Sequence, residues 1–176
     1  MCIRDRDTVV ADVVRKELAG EVGLAKGRWQ EGLYAPHWTE ATYGEMFARA
    51  KKRLSAGQGV LLDGTFLDDR WRREAAELAA TRQVPFVLVE TVADTDVVTP
   101  RITARQQRPG VITDAGADIF RRQLAAVAAK PLSIPATARY LRIDTTPDGP
   151  IDLEALWIAL LDAGIVTATI PDVPWL

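Results

Sequence analysis

The chain has 176 residues, enough for one domain with a core of its own and short for two. Hydrophobic residues make up 48% and charged residues 26%, as in folded globular chains, and a net charge of -2 argues against broad electrostatic attraction to nucleic acid or an anionic membrane. A lone cysteine, Cys2, and a lone histidine, His37, exclude an internal disulfide framework and a closed zinc site.

Residues 1–6 match no element and read as a non-native or disordered N-terminus; residues 7–176 read as a single domain. Val9-Val10 is a stub of strand, followed by a short helix over Asp12–Ala19. A helix is predicted over Thr42–Ser55, opened by a Thr42-x-x-Glu45 capping box and stopped before Gly57. Gly59–Thr65 and Pro85–Thr91 have strand length and are apolar enough for burial on both faces. Between them Asp68–Thr81 has an acidic start and an apolar stripe of Trp71, Ala75, Leu78 and Ala79. Helices over Asp94–Gln107 and Asp114–Lys130 follow, then a strand over Tyr140–Asp144 and a helix over Asp152–Ala163. The alternation predicts an α/β fold with a parallel sheet and flanking helices.

The segments that carry chemistry are few. Asp12 stands where a strand gives way to a helix, with Arg15 one turn on along the same face. Asp63 closes the apolar run Val60-Leu61-Leu62, an expensive place for a charge unless it is paired or faces a metal, and Thr65 follows it. Arg101, Arg105 and Arg108 share one helical face, where they repel one another unless an anion lies among them. Pro109-Gly110 would supply a flexible exit from that helix. His37 lies between aromatic neighbours, as a packed loop histidine or a pocket wall. Each has a bland alternative: an N-cap for Asp12, a solvated arginine for Arg15, an ordinary strand-end threonine for Thr65, and a solvated basic face for the three arginines.

Three segments in this order resemble one family: Asp12-Val-Val-Arg15-Lys16-Glu-Leu-Ala-Gly20; Gly59-Val-Leu-Leu-Asp63-Gly-Thr65-Phe66; and Arg101-Ile-Thr-Ala-Arg105-Gln-Gln-Arg108 with Thr113-Asp114-Ala115 beyond it. Together, over roughly Asp7 to Asp144, they are similar to small-molecule kinases with an AAA-type P-loop domain, related to gluconate kinase, adenylate kinase and zeta-toxin-like kinases. The resemblance implies ATP and Mg²⁺ as cofactors and a hydroxyl of a small molecule as acceptor. It implies Asp12 as the base, Arg15 and Thr65 as acceptor contacts, Asp63 as the metal carboxylate, and Arg101 and Arg105 as lid arginines over the transferring phosphoryl group. It implies Arg108 as a nucleotide contact, with the lid spanning about 94–116. Such domains often follow an aminoglycoside-phosphotransferase-like domain in a longer cytoplasmic protein. Sugar acids, nucleosides, antibiotics and nucleotide-sugars remain open as acceptors.

One part of the pattern is missing. A phosphate-binding loop needs Gly-x4-Gly-Lys-Ser/Thr, yet Lys16, Lys26, Lys51, Lys52 and Lys130 neither follow glycine nor precede serine or threonine. The expectation is a domain cut short of its first strand and Walker A loop, and inactive by itself. A non-catalytic remnant or partner-binding module is the alternative, and an unrelated α/β transferase or hydrolase a third. In adenylate-kinase-like folds the first strand lies between the third and fourth, here Gly59–Thr65 and Pro85–Thr91. Its removal leaves a gap of roughly 10 Å, two strand spacings. Direct pairing of those strands, or marginal stability, should result.

Overall fold

A computed structural model describes residues 7–20, 35–107, 116–130, 132–146 and 153–165. In chain order they form β1 (Asp7–Val10), α1 (Ala11–Ala19), α2 (Pro36–Ser55), β2 (Val60–Asp63), α3 (Asp69–Thr81), β3 (Val87–Val92), α4 (Thr95–Gln106), α5 (Ala117–Ala129), β4 (Arg139–Asp144) and α6 (Leu153–Asp162). β1 pairs in parallel with β2, and β3 with β4, giving the α/β architecture that the strand–helix alternation predicts.

Local chemistry sets the helix ends. α2 starts earlier than expected because Pro36 occupies its first turn, where a missing N–H costs nothing and the fixed φ suits a helix. Thr42 therefore lies in the helix interior, fully buried, and its hydroxyl donates to the Trp38 carbonyl at 2.7 Å. The Thr42–Glu45 capping box does not form; Glu45 accepts instead from Arg49 Nε at 2.8 Å. α3 begins one residue past its predicted start, with Asp68 at the N-cap accepting from the Arg70 N–H at 3.0 Å.

The core is built from two helical stripes and the strands beneath them. Tyr43, Met46, Phe47 and Ala50 of α2 share one face, and Trp71, Arg72, Ala75, Ala76 and Ala79 of α3 another. Val9, Ala11 and Val14 complete the cluster from β1 and α1. Tyr43 stacks on Trp71 with centroids 4.7 Å apart and planes at 6°, and meets Phe66 edge-on at 5.1 Å. Such aromatic pairs add about 1 kcal/mol each beyond the area they bury. Ion pairs from Arg49 to Glu17 at 2.6 Å and from Arg53 to Asp7 at 2.5 Å bridge α2 to α1 and β1; exposed as they are, they add little.

One expectation about the strands needs correction. Burial on both faces is not realised: β2 alternates, and Leu61 and Val89 are 50% and 40% exposed, because each parallel pair is thinly covered on one side. Of the two alternatives for β2 and β3, direct pairing is not formed among the described residues. The β3–β4 pair is joined to the rest through α3 instead. Phe86 packs against the core cluster, the Val84 N–H donates to the Ala79 carbonyl at 3.0 Å, and Arg72 Nε donates to the Ser133 carbonyl at 2.8 Å. These contacts hold β3 without a ladder to β2.

Candidate functional site

The β1–β2 register sets Val10 opposite Asp63, so the chain leaves the two strands side by side, at the carboxyl edge where α/β proteins bind ligands. From β1 it enters α1 directly. The N-cap is Val10, so Asp12 lies within the first turn and the N-cap alternative falls away. Arg15, one turn on, donates through Nη1 to Asp12 Oδ1 at 2.6 Å. The arginine side chain is 10% exposed and the aspartate 29%, so the pair is seated in the core surface with its carboxylate toward water. Asp12 and Arg15, taken from the sequence as separate contacts, thus form one charge-assisted unit.

From β2 the chain enters a tight turn, Asp63-Gly64-Thr65-Phe66. Asp63 is exposed. Its charge is therefore satisfied by water, and the argument that burial demands a metal beside it does not hold. Gly64 is backed closely by α1 and α2: a Cβ there would lie 3.3 Å from both Ala11 Cβ and Tyr43 Oη. Thr65 is exposed, with its hydroxyl in hydrogen-bonding reach of Tyr43. Phe66 adopts a left-handed backbone, φ 43°, uncommon for a residue with a side chain. Both of its backbone groups are held: the N–H donates to Tyr43 Oη at 2.8 Å, and the carbonyl accepts from Arg72 Nη1. Burial pushes the Tyr43 phenol above its ordinary pKa; the bonds from Thr65 and Phe66, and the charge of Arg15, oppose that shift.

Arg72 is 1% exposed and spends its fork on three acceptors, the carbonyls of Phe66 and Ser133 and the Asp69 carboxylate. Lys130 Nζ lies 3.2 Å from Asp69 as well, and with Arg72 it holds that carboxyl below its usual range. Neither Tyr43 nor Arg72 stood out in the sequence. Tyr43 reads as one more apolar member of the α2 stripe, and Arg72 hides in the charged run Arg70-Trp71-Arg72-Arg73. The usable signal for Arg72 was its place on the face of Ala75, Ala76 and Ala79.

The arginine helix attaches to the other strand pair. Arg101 Nη1 donates to the carbonyl of Thr145, just past β4, at 2.7 Å. That strand end is laced to the end of β3: the Thr145 N–H and hydroxyl both donate to the Val92 carbonyl, at 2.8 and 2.9 Å. Pro100 lies inside α4 immediately before Arg101. Arg105 is exposed on the same helix. Arg108, Thr113 and Asp114 lie outside the described residues. The geometry thus brings Asp12, Arg15, Asp63 and Thr65 to one strand pair and Arg101 to the end of the other. His37 is exposed on α2, tilted against Trp38 at 5.7 Å. A shallow depression between Phe86, Ala138, Arg139 and Asp162 lies at the amino ends of β3 and β4, away from this chemistry.

Among the described residues no cluster of three or more His, Cys, Asp or Glu side chains could hold a metal by itself. Asp63 alone would suit Mg²⁺, which commonly keeps several waters and takes one or two carboxylates with phosphate oxygens. The sequence holds no Gly-Lys-Ser/Thr.

Comparison with known proteins defines the class. The profile of an AAA-domain family matches residues 4–130, and the chain belongs to that family. It is 35% identical over 124 residues to uncharacterized proteins of Mycobacterium bovis and Mycobacterium tuberculosis. The match covers 69% of this chain and 24% of those proteins, so the chain spans about a quarter of their length. A crystal structure of a candidate kinase from Chloroflexus aurantiacus superposes with a TM-score of 0.65, covering 87% of this chain and 82% of that one at 18% identity. The fold is that of a P-loop kinase-like α/β domain. No helix among the described residues is long and apolar enough to cross a membrane.

Proposed function

We propose that this AAA domain is the acceptor-side part of a cytoplasmic, ATP-dependent phosphotransferase that acts on a hydroxyl of a small molecule. The observation that carries the reading is the Asp12–Arg15 pair set beside the Asp63–Thr65 turn at the ends of two adjacent parallel strands. Asp12, part-exposed and held in place by Arg15, is suited to accept a hydroxyl proton. Arg15 and Thr65 orient the acceptor, and Asp63 offers the metal its one carboxylate. Arg101 and Arg105 of α4, with Arg108, supply positive charge for the phosphoryl group. ATP with Mg²⁺ would supply that group when bound; these residues by themselves provide no cradle for its phosphates. A net charge of -2 favours a small substrate over nucleic acid. The greater length of the mycobacterial relatives leaves room for a fused partner such as an aminoglycoside-phosphotransferase-like domain.

A second reading, a non-catalytic remnant or partner-binding module, is favoured by the missing Gly-Lys-Ser/Thr. One experiment separates them. ATP binding and phosphoryl transfer to a panel of sugar acids, nucleosides and aminoglycosides are measured for this polypeptide and for the longest product of its gene. The kinase reading expects weak or no transfer here, transfer by a longer product that carries the loop, and a loss of about 100-fold or more in kcat on Asp12→Asn. A loop-bearing product that transfers nothing, or an Asp12→Asn protein at full rate, would refute it.

A further inference from the structure

The turn after β2 is held by side chains that the proposed chemistry does not use. Phe66 sits in a left-handed conformation that a residue with a Cβ adopts at a cost, and such positions persist only where the surroundings over-determine them. Here the surroundings are two buried side chains from two helices. Tyr43 of α2, 3% exposed, takes the Phe66 N–H on its phenol oxygen at 2.8 Å; Arg72 of α3, 1% exposed, donates to the Phe66 carbonyl. The same phenol oxygen lies in hydrogen-bonding reach of the Thr65 hydroxyl, and a Cβ placed on Gly64 would lie 3.3 Å from it. One oxygen thus bonds the Phe66 N–H, neighbours Thr65 and limits the room at Gly64 in the turn that starts at Asp63. Its ring is fixed by the Trp71 stack, so the oxygen has little freedom to follow the turn if the turn moves.

We infer that Tyr43 is a positioning residue of the site: its phenol oxygen, on the fixed Trp71 stack, holds the Gly64–Thr65–Phe66 backbone and with it the end of β2 at Asp63, beside the strand end from which α1 carries Asp12 and Arg15. Tyr43 touches no substrate in this account. It acts through the turn, and the inference rests on the reading of Asp63 as a metal carboxylate.

Tyr43→Phe tests it, because it keeps the ring and its stack and deletes only the oxygen. Amide exchange and Mn²⁺-induced line broadening are followed by NMR in the wild-type chain and the variant, with Mn²⁺ alone as the probe. The expected result has two parts. The Phe66 amide exchanges about tenfold faster in Tyr43→Phe, as for a lost hydrogen bond. Broadening of the Asp63 and Gly64 amides requires about tenfold more Mn²⁺, while the Trp71 indole resonance stays in place. A merely structural tyrosine would change the first and leave the second alone, which would overturn the inference; so would an unchanged Phe66 amide. Absence of Mn²⁺ broadening at Asp63 in the wild type would remove the metal reading itself, and the inference with it. Thr65→Val, at an exposed position that leaves the core intact, keeps the test valid if Tyr43→Phe fails to fold. It should shift the Mn²⁺ response in the same direction by a smaller factor, and an unshifted response counts against the inference.

Discussion

Arg72→Met isolates the joint between the two strand pairs. The aliphatic stem of Arg72 is replaced by a side chain of similar length, so the packing of α3 against the core is largely kept. The fork is lost. The carbonyls of Phe66 and Ser133 then have no guanidinium donor, and at about 1.5 kcal/mol for each hydrogen bond from a charged group the cost is about 3 kcal/mol. Asp69 is spared the worst outcome, a stranded charge, because Lys130 stays 3.2 Å away. One effect runs the other way: a buried guanidinium is costly to desolvate, and replacing buried ions with apolar groups sometimes stabilises. The carbonyls decide the sign. A pure exchange of ion pair for hydrocarbon leaves no acceptor behind, whereas this one leaves two.

For a domain of this size about 3 kcal/mol corresponds to a fall in Tm on the order of 10 °C. Thermal melts followed by far-ultraviolet circular dichroism read it directly. Arg72→Lys should fall between the two, since one ammonium cannot serve three acceptors arranged around a planar fork. Loss of the Ser133 tether should also show in hydrogen exchange, as faster exchange in β3 and β4 than in β1 and β2. A melt for Arg72→Met at or above the wild-type temperature would refute the reasoning, because it would mean that desolvation of the guanidinium outweighs the bonds it makes.

Three further outcomes follow from the same geometry. Gly64→Ala should destabilise by about 1 kcal/mol: the usual gain of up to about 1 kcal/mol from a stiffer unfolded chain is outweighed by crowding at 3.3 Å against Ala11 and Tyr43, and denaturant titration measures the balance. Raising the pH should weaken the fold, since Tyr43 has a folded pKa above its unfolded value of 10.0. Its contribution is whole below pH 10.0 and is lost as pH rises through the folded value, with a slope of about 1.4 kcal/mol per pH unit between the two. Denaturant titrations across that range should show the slope lessened in Tyr43→Phe. Amide exchange should divide β2 and β3 by edge: N–H groups in the ladders to β1 and β4 are protected, and those on the opposite edges exchange quickly. Uniform strong protection of both strands would show a further strand partner on those edges and refute the division.

The alternation of strands and helices was legible from periodicity, as was the acidic start of the helix over Asp68–Thr81, because those signals are local. Helix starts were less so: Thr42 and Glu45 have the spacing of a capping box, yet Pro36 six residues earlier begins the helix first, and interior threonines satisfy their hydroxyls on the preceding turn. Strand burial is hard to read from sequence for a different reason. An apolar run such as Val60-Leu61-Leu62 reports that a strand can be buried on both sides, but whether it is depends on neighbours supplied by the rest of the sheet.

The candidate site divides along the same line. Asp12, Arg15, Asp63 and Thr65 could be picked out because each stands where a strand ends. Their mutual arrangement depends on the β1–β2 register and on Tyr43 and Arg72, which reach the turn from 23 residues before Phe66 and 6 residues after it. Such residues look like ordinary core or ordinary surface in one dimension, because their role is to satisfy someone else's backbone. Asp63 shows the converse. Its position at the end of an apolar run suggested a buried charge in need of a metal, whereas its exposure shows that water already meets that need. What still distinguishes Asp63 from any solvated aspartate is the turn behind it, held at Phe66 in a conformation that an unconstrained chain would leave. Its claim to a role therefore stands or falls with the side chains that hold that turn.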